Sequence, residues 1–176
     1  MWACTSGSFA FGLAGAWRQA DDIAELLGVP ASSTSLAFLS AARAMGLTRV
    51  AVAATYPEDL ASAFRSFLEE GGVEVLHLGC LGIWTGGEVG QVDQKEALRF
   101  ARANDHSDAE AVLIPDTALH TVAFLSELES HVGKTVLTAN QVTVWEALRL
   151  AGRLNSQLDL GRLFQGTHGN SPVQGI

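Results

Sequence analysis

Residues 111–141 read AVLIPDTALHTVAFLSELESHVGKTVLTANQ. The first run, Glu110 to Pro115, is apolar at every central position and is too short for a buried helix. The same holds for Thr135 to Thr138. Between them, Thr117 to His131 carries its apolar residues at helical spacing, and Gly133 supplies a stop. Two continuous apolar strands joined through a helix predict a parallel sheet covered on both faces, because alternating strands would leave one face to water. Ligand sites in such sheets lie at the carboxyl ends of the strands. Those ends carry Asp116 and Asn140-Gln141.

The same grammar extends outward. Arg49 to Thr55 is a strand ending at Tyr56-Pro57, and Glu58 to Glu70 is a helix with acids in its first turn and Gly71-Gly72 as its stop. Val73 to Leu78 is a further strand, Gly79 to Gly90 a glycine-rich connection, Asp93 to Ala103 a helix and Val142 to Ala151 the last helix of the repeating pattern. Strand and helix alternate through short connections, so the expected fold is α/β, a layered fold on a parallel sheet. Residues 47–152 form its main lobe. Residues 1–46 are read separately: a loose helix or loop at Phe9 to Trp17, a helical turn at Asp21 to Leu27, and a helix capped by Ser32 to Ser35 and running to Met45. Only three residues precede Cys4, so the strand expected to deliver it is short. In residues 153–176, Leu154 to Phe164 is expected as a surface helix and the remainder as a tail.

Composition excludes several classes of function. Acidic residues outnumber basic ones 19 to 11, for a formal net charge of -8, which disfavours nucleic acid and anionic membrane surfaces as partners. A small carboxylate remains compatible, because backbone amides and hydroxyls bind it locally. Hydrophobic residues make up 48% of the chain, ample for a core, yet no apolar run approaches the ~20 residues of a membrane span. Two cysteines and no signal sequence imply a reduced, cytoplasmic protein with free thiols. The five histidines show no ligand spacing with the cysteines, so no metal is expected. Gly86-Gly87-x-x-Gly90 is not a dinucleotide fingerprint, and neither a Walker sequence nor a GxSxG elbow is present, so no cofactor is expected.

Each candidate residue has a plain reading beside a chemical one. Cys4 precedes Thr5-Ser6-Gly7-Ser8; amides and a helix start aimed at its sulfur would make it a nucleophile or base, and otherwise it is an ordinary thiol. Cys80, between Gly79 and Leu81, reads as structural. Asp116 is either a helix N-cap or a general acid/base. Thr117 offers a hydroxyl and an amide to an oxyanion. Tyr56 either donates to a carboxylate or caps the core. Asn140 is a turn amide or an orienting group, and His120 reads as a surface residue.

Taken together, Ala3-Cys4-Thr5-Ser6-Gly7-Ser8-Phe9, Thr55-Tyr56-Pro57-Glu58, Pro115-Asp116-Thr117-Ala118-Leu119-His120-Thr121 and Thr138-Ala139-Asn140-Gln141, followed by Trp145 to Gly152, resemble the maleate cis-trans isomerase and arylmalonate decarboxylase branch of the aspartate/glutamate racemase superfamily. The resemblance implies two pseudo-symmetric α/β lobes, one complete and flavodoxin-like here and the other represented in part, with a small carboxylate between them and no cofactor. A homo-oligomer is compatible with it. It places Cys4 at the first of two catalytic cysteine positions and Asp116 where the isomerases carry the second, with Thr5, Ser6 and Thr117 on carboxylate oxygens and Tyr56 and Asn140 orienting. Isomerisation of a small dicarboxylate is the leading expectation, because the first cysteine is retained. Decarboxylation, an ectoine-utilisation-type reaction and a non-catalytic acid-binding fragment are the alternatives. Family members extend further before the position of Cys4, so a fragment or late start is also expected.

Overall fold

The computed structural model describes residues 1–166. Three helices come first: α1 (Thr5–Phe9), α2 (Gly12–Leu27) and α3 (Thr34–Met45). Strand and helix then alternate as β1 (Arg49–Ala54), α4 (Glu58–Glu70), β2 (Glu74–Cys80), the short α5 (Gly86–Val89), α6 (Gln94–Ala103) and β3 (Ala111–Ile114). A 3-10 turn at Val122–Phe124 leads into α7 (Leu125–Val132), β4 (Thr135–Thr138) and α8 (Ala139–Leu150). A second 3-10 turn, Leu158–Leu160, precedes α9 (Arg162–Gln165).

The four strands form one parallel sheet in the order β2-β1-β3-β4. The chain moves one way from β1 to β2, then crosses back over β1 to reach β3 and β4. Right-handed crossovers require the connecting helices to change faces at such a reversal. They do: Phe64, Phe67 and Leu68 of α4 join Val50, Val52 and Leu113 in one core, whereas Ala97 of α6 and Leu128 of α7 join Ala51, Val112 and Val136 in the other. The α/β parallel fold expected from the sequence is thus the fold observed. Residues 1–46 share the first of these cores. The Phe9 ring lies 6.2 Å from Tyr56 and 5.3 Å from Phe64, centroid to centroid, and a buried hydroxyl pair, Thr34 with Thr143 at 2.7 Å, ties α3 to α8.

Three expectations are corrected. Phe9 to Leu27 is not a loose stretch followed by a turn, because α2 runs unbroken from Gly12 to Leu27. The glycines that suggested looseness serve the helix: a Cβ on Gly15 would come 2.5 Å from Phe11 Cβ, and Gly12 enters with φ +68°, a conformation open to glycine. No helix starts at Thr117; the chain stays irregular to Thr121 and becomes α-helical only at Leu125. Leu154 to Phe164 is not a surface helix. It is two short turns whose Leu163 and Phe164 are buried in the first core, held by Glu129 Oε2, which accepts from Arg162 N at 3.0 Å, and by Gln141 Nε2, which donates to Leu160 O at 2.7 Å. The remainder of the expected tail lies outside the described residues.

Candidate active site

The reversal point of the sheet lies between β1 and β3, and the carboxyl ends of the strands at such a point are the usual ligand position in open parallel sheets. β1 delivers Thr55 and Tyr56 to it, and β3 delivers Pro115, Asp116 and Thr117. Asp116 is 9% exposed. Its Oδ1 accepts from Ala118 N at 2.8 Å, and its Oδ2 accepts from the Thr55 hydroxyl in a short hydrogen bond. The contact to Ala118 closes an Asx turn. Asp116 is therefore not a helix cap: its side chain closes a local turn, and the α-helix begins only at Leu125.

Two further bonds hold the same loop. Tyr56 Oη donates to Pro115 O at 2.7 Å, and Asn140 Nδ2, from the first turn of α8, donates to Thr117 O at 3.0 Å. The Tyr56 proton is therefore engaged by the main chain. Burial, then the neighbouring Asp116, raise the phenol well above its ordinary value, with Cys4 adding a smaller push in the same direction. Tyr56 is the side chain common to both halves of the site. Asp116 and Cys4 both act on it electrostatically, and the Thr5 hydroxyl lies near enough to favour its ionised form slightly. That hydroxyl nonetheless has no partner of hydrogen-bond geometry. We regard Thr5 as a neighbour of Tyr56 rather than its partner, because the single phenolic proton is directed at Pro115.

The Cys4 half is built differently. Trp2 forms one isolated parallel bridge with Ser33, through Trp2 N to Ser32 O at 2.8 Å and Thr34 N to Trp2 O at 3.1 Å. Cys4 follows in extended conformation as the N-cap of α1 and is partly exposed. Its Sγ lies 3.9 Å from Ser6 Oγ. Gly7 makes room for the thiol, since a Cβ there would sit 3.1 Å from Cys4 Sγ and 3.2 Å from Trp2 Nε1. Behind α1, Ser8 Oγ lies 2.8 Å from Cys4 O and 2.6 Å from Ser35 Oγ, and it accepts from Ser35 N at 3.2 Å.

Of the residues singled out in the sequence, Cys4, Thr5, Tyr56 and Asp116 are linked through Tyr56, and Thr117 and Asn140 meet each other. Ser6 touches the thiol. Thr55 was missed. A threonine ending a strand carries no local signal, and its role appears only when β3 is known to be the neighbour of β1. Cys80 is exposed at the end of the edge strand β2, where burial and Glu58 push its thiol up. It lines a cleft of about 510 Å³ with Glu58, Arg65 and His77. That cleft contains none of the groups just described, so chemistry rather than size identifies the site. Among the described residues no three His, Cys, Asp or Glu side chains are grouped as metal ligands, and no helix is long and apolar enough to cross a membrane.

The scaffold is thus a parallel α/β sheet with a tyrosine and a buried carboxylate held together at its reversal point by the bonds from Thr55 to Asp116 and from Tyr56 to Pro115. Residues 2–164 match the family model described as arylmalonate decarboxylase, and the chain belongs to that family. It is 31% identical over 145 residues to the arylmalonate decarboxylase of Bordetella bronchiseptica, covering 80% of this chain and 60% of that protein. A liganded arylmalonate decarboxylase carrying a glycine-to-cysteine and a cysteine-to-serine exchange superposes with a TM-score of 0.87 at 29% identity, over 92% of this chain and 70% of that one. Maleate isomerase from Pseudomonas putida, solved with maleate, gives a TM-score of 0.87 at 20% identity over 93% of this chain and 68% of that chain, a likeness of fold alone.

Proposed function

We propose that this chain carries a cofactor-independent decarboxylation of a small malonate-type acid. The supporting observation is that Tyr56 is tied to the Asp116 loop through Pro115 while its ring packs on Phe9 of α1, the helix that Cys4 caps. Thr5 and Ser6 hydroxyls and the Thr117 amide hold carboxylate oxygens, and Tyr56 and Asn140 orient the loop that bears Asp116. One carboxylate leaves as CO2, and the electron pair of the broken C–C bond stays on the α-carbon as an enediolate. The Cys4 thiol passes its proton to that carbon, and the resulting thiolate is reprotonated from solvent. Asp116 takes no proton in this step; its carboxylate, held by Thr55 and Ala118, orients the acid's substituents. Decarboxylation needs one proton donor beside a carboxylate cradle, and this site offers one thiol. A thiol-to-thiol isomerisation needs a second soft acid on the far face, where this chain has a carboxyl already accepting from Thr55 and Ala118. The stronger sequence likeness, 29–31%, is also to decarboxylases.

Isomerisation of a maleate-like dicarboxylate is the second reading, favoured by Cys4 at the position where the resemblance places the isomerases' first cysteine. Incubation of the full chain with phenylmalonate in deuterated buffer, followed by proton NMR, separates the two. Decarboxylation yields phenylacetate carrying one α-deuterium. Cys4→Ala should lower the rate by about 10²–10⁴-fold, the usual contribution of a positioned proton donor. Conversion of maleate to fumarate without reaction of phenylmalonate would select the second reading. Wild type acting on neither acid faster than Cys4→Ala would remove both.

A further inference from the structure

We propose that Thr55 is the positioning residue of this site, the group that sets the plane of the Asp116 carboxylate. The proposal rests on the reading that Asp116 faces the substrate. A carboxylate turns about its Cβ–Cγ bond in a broad, shallow well, so one hydrogen bond leaves its plane loosely defined. Asp116 has two, on different oxygens. Ala118 N belongs to the same loop and moves with it. Thr55 directly follows β1, 61 residues away in sequence, and provides a reference outside the loop.

Thr55 is itself well fixed. It is fully buried, and its carbonyl accepts from Ile83 N at 2.9 Å. The flanking carbonyls of Ala54 and Tyr56 accept from Leu81 N at 3.0 Å and Gly82 N at 3.2 Å. The segment after β2 thus caps the end of β1 just where Thr55 turns toward β3. A β-branched side chain restricts χ1, so a fixed backbone transmits its position to the hydroxyl. The same two strand ends are tied a second time by Tyr56 Oη to Pro115 O. Loss of the Thr55 hydroxyl should therefore leave the strands in place and release only the carboxylate. Serine supplies the hydroxyl, whereas valine keeps the shape without it.

The test uses the full chain with Thr55→Val, Thr55→Ser and Asp116→Ala. The first readout needs no turnover: the NMR shift and hydrogen-exchange protection of the Ala118 amide, which reports the Asp116 Oδ1 contact. Thr55→Val should move this amide most of the way from its wild-type values to those of Asp116→Ala, and Thr55→Ser should restore them. An Ala118 amide unchanged in Thr55→Val overturns the proposal, whatever the activity. The second readout is kinetic, with the acid that wild type turns over. Thr55→Val should lower kcat by about 10–10²-fold, as expected when an orienting group is misplaced, with KM within twofold and Thr55→Ser recovering most of the loss. Equal losses in Thr55→Val and Thr55→Ser overturn it. Should wild type turn over neither phenylmalonate nor maleate, the proposed function fails while the amide result still decides the role of Thr55.

Discussion

The two halves of the site are held by opposite means. Asp116 sits in a loop braced by four hydrogen bonds from three elements: Thr55 and Tyr56 after β1, Ala118 in its own turn, and Asn140 on α8. Cys4 stands on a single strand bridge and a five-residue helix, partly exposed. The carboxylate half is thereby braced through side chains from distant elements, and the thiol half chiefly through the backbone of its own segment and Ser8. Such a division suits chemistry in which one group orients an anion and the other follows a changing carbon centre. It also implies that substitutions in the two halves should separate activity from stability.

The largest separation is expected at Cys4 itself. The rate loss proposed for Cys4→Ala should come with almost no change in thermal midpoint, because the thiol makes only a 3.9 Å contact with Ser6. A midpoint drop of many degrees would make the two halves alike and break the comparison. Next in size is Tyr56→Phe, which removes the donor from the buried Pro115 carbonyl. An unmade buried hydrogen bond costs about 1–3 kcal/mol, readable in a urea titration, and the brace around Asp116 should loosen with it. Ser8→Ala probes the support of the thiol half in the same way. It removes the acceptor of the buried Ser35 amide and should cost about 1 kcal/mol, with activity falling less than in Tyr56→Phe. A larger activity loss in Ser8→Ala would reverse the assignment of the two halves.

The smallest effect is electrostatic. Burial pushes the Glu129 carboxyl above the ordinary carboxylate range, while the amides of Val136 and Arg162 pull it partly back. Val136 lies in β4, the strand paired with the one that carries Asp116. With the folded value above the unfolded one, the native state binds this proton more tightly. Stability associated with it is present at acid pH and declines as pH rises from the ordinary carboxylate range through the raised folded value. Glu129→Gln cannot titrate, so the stability difference between wild type and variant should shift against wild type across that window. Urea midpoints at a series of pH values would show a parallel pair of curves if the carboxyl were unperturbed.

Much of the fold was legible because it rests on local patterns. The apolar run Thr135 to Thr138 is β4 without adjustment, and α3 ends at Met45 as expected, with Gly46 after it in the left-handed conformation. Candidate site residues stood out in the sequence only where a residue type announces chemistry, as Cys4 and Asp116 do. What escaped depends on neighbours distant in sequence. Thr55 needs the strand order, and α2 reads as broken until Phe11 is seen to fill the space left by Gly15. Leu163 and Phe164 were expected on a surface helix because Glu129 and Gln141, which hold the neighbouring Arg162 and Leu160, lie on other elements. The Asx turn at Asp116 was hidden by its likeness to a cap: both use the same side chain to satisfy an amide two or three residues on, and only the later backbone tells them apart.

The span between Thr55 and Asp116 has one further consequence, for modularity. No loop among the described residues contains both ends of that bond, and an excised segment must run at least from Thr55 to Asp116, a sequence separation of 61, to carry it. Transplanting the Asp116 turn onto another scaffold would move the carboxyl and leave its reference behind. The unit that could be transferred is the pair of adjoining strands with their crossover, because the site belongs to the sheet as a whole.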